Sequence, residues 1–107
     1  MKWHEKIIAA HLEITDAVSH AERLESERYF VWQEMGANDL TANDGHAEKA
    51  MMGATDLFTK QEFDPWKEAF EKSLDENGIT WYLNSIQYEE ETGFFHYEWY
   101  WEVLDDA

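Results

Sequence analysis

The chain contains no cysteine. Disulfide scaffolds, thiolate metal sites and cysteine nucleophiles are excluded together, and a reducing compartment suits such a protein. Proline occurs once, at Pro65, and no Pro/Ser-rich linker divides the chain, so residues 1–107 read as one domain. The five glycines stand apart at positions 36, 45, 53, 78 and 93, which leaves no phosphate-cradling loop. There is no G-x-S-x-G and no H-E-x-x-H. No apolar run has the length of a signal peptide or a membrane span. These absences predict a soluble, cytoplasmic, non-enzymatic protein that needs no cofactor.

Cations are also scarce. Eight Lys and Arg face 24 Asp and Glu, for a formal net charge of −16. A basic nucleic-acid surface is thereby excluded, because direct phosphate binding would be opposed. The imbalance is steeper toward the C-terminus. Residues 61–107 carry 13 acidic and 2 basic side chains, whereas residues 1–60 carry 11 and 6. Self-repulsion of this size destabilises a compact state, so a compensating role is expected of it.

Large side chains are plentiful. Six Trp, six Phe and five Tyr can fill a core. The stripe Trp3, Ile7, Ala10, Ile14, Ala17, Ala21, Leu24, Arg28, Val31, Met35 alternates spacings of four and three. That seam predicts a helix over residues 2–35, ended by Gly36, with a surface for a homodimer. Arg28 is its one charged member. A polar loop follows over residues 37–45. A second helix is expected over 46–58, its face formed by Ala47, Ala50, Met51, Ala54, Leu57 and Phe58, although Gly53 lies inside it. A third, over 65–77, has Asp64 as its cap, Pro65 at its first position and Asn77-Gly78 as its stop.

The remainder alternates with a period of two and predicts a hairpin over 79–89 and 94–104. Pairing Tyr88 with Phe95 and Ile86 with Tyr97 puts four apolar side chains on one face. Trp81 and Leu83 join them only with one extra residue, so a β-bulge is expected at Asn84–Ser85. The fold class is thus α+β: one long N-terminal helix and two shorter ones packed on a C-terminal antiparallel hairpin.

Three functional readings follow. Glu89, Glu90, Glu91, Glu98, Glu102, Asp105 and Asp106 form an acidic C-terminal surface. Carboxylates at strand or helix pitch repeat at roughly the phosphate spacing of nucleic acid. The leading reading is therefore a binding or inhibitor protein that imitates nucleic acid and meets the basic surface of a nucleic-acid-binding protein. Small size, acidity and the lack of enzyme motifs are shared with DNA-mimic inhibitors, many of them phage-encoded, but that similarity is of composition and transfers no residues. Tyr82, Phe94 and Tyr100 fall opposite the expected core face and would suit a cationic partner if exposed. The second reading is a structural or assembly protein. The third is a small enzyme, metal-dependent through Glu13, Asp16 and His20, or sugar-active through Glu98 and Glu102. For the metal set, an ordinary solvated acidic helix face is the plainer alternative.

Overall fold

A computed structural model describes residues 1–41 and 47–104, and the side chains of all of these except 38–41, 47 and 48. The element order is α1 (Trp3–Leu12), β1 (Val18–His20), β2 (Arg28–Thr41), β3 (Ala47–Thr59), α2 (Trp66–Glu76), β4 (Thr80–Glu89) and β5 (Phe94–Leu104). The strands make one mixed sheet in the order β1-β2-β3-β5-β4. Only β1–β2 is parallel; the other pairs are antiparallel.

The expected long helix over 2–35 and the helix over 46–58 do not form. The first breaks after Leu12, where the Thr15 hydroxyl accepts the Ala17 N–H at 3.0 Å and offers the backbone an alternative to another helical turn. The 29–32 run Tyr-Phe-Val-Trp is apolar at every position because β2 lies inside the sheet and is covered on both faces. A short run of that kind has neither helical nor strand period, so its spacing from the upstream alanines was coincidental. With the helix goes its dimer seam. Residues 47–59 are β3, and Gly53 is the residue that a helix there could not explain. A Cβ at Gly53 would lie 2.3 Å from the Trp101 ring and 2.6 Å from the Gln33 carbonyl oxygen. Glycine is needed because an indole packs flat against the strand.

The C-terminal helix, turn and bulge form as expected, but the hairpin joins β3 through β5, so the expected α+β fold of three helices on a two-stranded hairpin gives way to a mostly β, five-stranded mixed sheet with two helices. Helix α2 starts where Asp64 accepts the Trp66 N–H at 2.9 Å and stops at Asn77-Gly78, with Gly78 at φ 69°. Tyr88 pairs with Phe95, Ile86 with Tyr97, and the ladder slips between Leu83 and Ser85. Gly93 turns the hairpin at φ 77°.

Both helices lie on one face of the sheet. Ile7 and Ala10 of α1 and Phe70 and Leu74 of α2 close over Phe30, Trp32, Leu57, Tyr97, Trp99 and Trp101. Polar groups inside this core are satisfied. The Ile7 carbonyl can only accept, so His11 donates to it through Nδ1 at 2.7 Å. Its Nε2 then accepts the Thr55 hydroxyl at 3.0 Å, and Thr55 Oγ1 accepts the Trp101 indole N–H at 2.9 Å. Burial lowers the pKa of this histidine to about 4, so it stays neutral. Arg28, the charged intruder in the supposed seam, opens β2 and grips Asp64.

The opposite face carries no helix among the described residues. There Tyr29, Val31 and Phe58 form a small cluster with Ala17 and Phe94 against it.

Candidate functional site

The sheet ends in two unlike edges. Strand β1 is only three residues long, as protected edges are. Strand β4 runs the length of the hairpin and pairs with β5 alone among the described residues. Among the described residues no backbone hydrogen bond outside the ladders reaches residues 80–88. From Thr80 to Tyr88 this strand carries no charged side chain and no proline, in a chain with 24 acids. Edge strands are ordinarily guarded by charge, proline or brevity. Among the described residues the only guard is the bulge at Asn84.

Apolar side chains project from both faces of this edge. Tyr82, Ile86 and Tyr88 are 57%, 53% and 56% exposed. Ile86 continues into a hollow of about 480 Å³ bounded by Phe63, Pro65, Phe95 and Tyr97, with Lys67 and Glu68 on its rim. Phe63 is 86% exposed and stands at φ 55°, a left-handed conformation that bulky residues avoid. Phe63 thus adds a strained, solvated ring beside the apolar edge.

A second feature lies on the face without helices. Register places Met52, Glu102 and Thr80 in one row, and Ala54, Tyr100 and Tyr82 in the next. Met52, Glu102, Thr80, Tyr100 and Tyr82, with Met35 from the bulge in β2 and with Gly53, Trp81 and Trp101, line a depression of about 250 Å³. The Tyr82 and Tyr100 rings meet edge to face at 5.5 Å. Glu98 adjoins Tyr100, and its negative charge pushes the tyrosine hydroxyl pKa above its ordinary value. At the other end of the same face the rings are occupied from within the chain: Arg23 lies 4.6 Å above Phe58 and Lys60 lies 4.2 Å above Phe94.

Of the residues expected to act together, Tyr82 and Tyr100 meet, with Glu98 and Glu102 beside them, and the others are spread along the hairpin. Tyr82 is exposed, Tyr100 half-buried, and Phe94 half-buried against Tyr29 and Phe58. Glu90 and Glu91 are exposed at the β4–β5 turn. Glu89 accepts the Thr92 hydroxyl at 3.1 Å and lies 3.7 Å from His96. Glu98 accepts from Asn84 at 2.7 Å, and Glu102 flanks the tyrosine depression. Asp105 and Asp106 lie outside the described residues. Tyr100 stands between Glu98 and Glu102 along β5, and Glu89 and Glu98 hydrogen-bond to Thr92 and Asn84. This arrangement lends no support to the expected inhibitor and DNA mimic.

The candidate metal set is not assembled either. Glu13 caps the end of α1 and accepts the Ser73 hydroxyl at 2.6 Å. His20, in β1, bonds Glu34 at 2.7 Å and stacks on Trp32 at 4.1 Å between ring centres. The helical spacing that would have aligned them ends at Leu12. No group of three His, Asp or Glu that could hold a metal occurs among the described residues. Sequence reasoning missed the β4 edge. Its signal was available as the charge-free stretch from Thr80 to Tyr88.

The class defined by this architecture is a five-stranded, mostly antiparallel sheet with two helices on one face and a long unguarded edge. No protein-family model and no curated protein matches the chain. Among solved structures it is similar to a chain of one described as "Virion of native gene transfer agent (GTA) particle". That likeness has a TM-score of 0.55 at 8% identity, and covers 99% of this chain and 92% of the other. At such identity it shows a shared fold. No described helix is long and apolar enough to cross a membrane.

Proposed function

We propose that this protein is a non-enzymatic structural subunit that joins neighbouring copies in a multi-subunit particle through strand β4. The observation that carries this reading is the edge itself: a strand paired on one side only among the described residues, free of charge from Thr80 to Tyr88, with Tyr82, Ile86 and Tyr88 standing out of it. Such an edge invites another strand to extend the sheet. The fold it shares with a virion chain supports a role in assembly. The net charge then acts as a brake on indiscriminate association, since copies repel until salt or a partner screens them. A cytoplasmic location, suited to a cysteine-free chain, belongs to the same reading.

Light scattering on the purified protein tests it. Association beyond the monomer is expected at high protein concentration, and more strongly at roughly 0.5 M salt, where screening shortens repulsion to a few ångströms. Ile86→Lys combined with Tyr88→Lys should return the monomer without loss of fold. A chain that stays monomeric at every concentration and salt would overturn the proposal.

A further inference from the structure

On the helix-free face, beyond the assembly reading, we infer that the depression between Tyr82, Tyr100, Met35, Met52 and Glu102 is a binding site for an arginine side chain presented by a partner protein.

The lining decides the chemistry. Two tyrosines, two tryptophans and two methionines offer polarisable, electron-rich surface, and Glu102 is the one charged residue among them. A cation over a tyrosine face is held by the ring quadrupole, and a flanking carboxylate adds an ion pair. Among the described residues neither Glu98 nor Glu102 forms an ion pair, and no cation lies over Tyr82 or Tyr100. The same face uses cation–ring contacts elsewhere, where Arg23 and Lys60 cover Phe58 and Phe94. At the Tyr82 end the rings stand beside a carboxylate, the pair of features a guanidinium recognises.

Charge complementarity chooses the source. With a net charge of −16 and eight Lys and Arg in all, a second copy is a poor supplier of cations, whereas a basic partner is drawn in by the field. Arginine suits the site better than lysine. Its guanidinium is planar, stacks on an aromatic face and sheds water more readily than an ammonium group. A depression of about 250 Å³ is of side-chain size and too small for a helix.

The test is an NMR titration of the intact chain with the capped tripeptide Gly-Arg-Gly, following the Met35 and Met52 methyl groups and the tyrosine rings. Its neutral isostere, with citrulline for arginine, is titrated in parallel. Saturable shifts confined to Met35, Met52, Tyr82 and Tyr100 are expected with the arginine peptide only. Glu102→Gln and Tyr100→Leu should each weaken binding by about fivefold or more, the scale of a lost ion pair or ring contact. Glu102 is on the surface of the sheet, so its amide variant tests the site even if the tyrosine variant misfolds. Non-saturating shifts at acidic residues across the surface would overturn the inference. So would identical titrations by parent and Glu102→Gln. Shifts at these residues that grow with protein concentration alone would overturn it too, by giving the face to a second copy. Because β4 association is read with Ile86→Lys and Tyr88→Lys, away from this depression, either proposal can fail without the other.

Discussion

Arg28 and Asp64 lock three elements together through one bidentate ion pair. The Arg28 Nε and Nη2 donate to the two carboxylate oxygens at 2.8 and 2.6 Å, at the start of β2. The same carboxylate accepts the Thr59 hydroxyl at 2.8 Å, from the end of β3, and the Trp66 N–H at 2.9 Å, from the start of α2. The guanidinium also lies 3.7 Å above the Trp66 ring. Burial alone would raise the Asp64 pKa, but these bonds to Arg28, Trp66 and Thr59 outweigh it and hold the carboxylate below its usual range.

Asp64→Ala should therefore destabilise the fold by about 1–3 kcal/mol, because the half-exposed Arg28 regains water while the Thr59 hydroxyl and Trp66 N–H lose their acceptor. Urea denaturation measures it. Because the folded pKa is depressed, the pair's contribution is present above the unfolded pKa of Asp and is lost as pH falls through the folded value. In Asp64→Asn that part of the acid dependence should vanish.

His11 predicts a second acid dependence, at higher pH. Its pKa is 6.5 in an unfolded chain and about 4 in the core. Between those values the unfolded state takes up a proton that the folded state refuses. Stability should fall as pH drops from 6.5 to about 4, by about 3 kcal/mol in all. In His11→Leu this slope should be gone, with Thr55 and Trp101 still bonded to each other. Denaturation midpoints across that pH range decide it.

Gly53 and Trp101 should behave as a coupled pair. Gly53→Ala sets a methyl group against the indole and should cost about 1–3 kcal/mol through overpacking. Trp101→Leu empties the space, so the added methyl should cost less in that background. A double-mutant cycle that came out additive would show that the ring is free to move aside.

The edge variants Ile86→Lys and Tyr88→Lys alter side chains that are already more than half exposed. Each should change stability by less than about 0.5 kcal/mol while removing self-association. Sedimentation velocity beside thermal melting separates the two effects.

The C-terminal half was legible because its signals are local. Pro65, Gly78 and Gly93 mark ends and turns, and the slip at Asn84 could be deduced by demanding one apolar face from Trp81, Leu83, Ile86 and Tyr88. The N-terminal half was not. Its strands are interior, their partners distant in sequence, and a strand covered on both faces loses its period of two. Gly53 was the visible contradiction, and its reason, Trp101, is supplied by another strand. The same holds for the candidate sites. Tyr82 and Tyr100 were placed opposite the core from alternation alone, but Met35 and Met52 join them only through pairing across the sheet. The edge stood unread because missing charges make no motif.

The slip at Asn84 gives this edge a grammar. Counting by twos along β4, residues up to Leu83 and residues from Ser85 onward obey opposite parity. A straight strand laid alongside would keep step with one stretch and fall out of step with the other. In the proposed assembly, only a segment with a matching hesitation would run the full length, and endless stacking of identical flat strands would be discouraged.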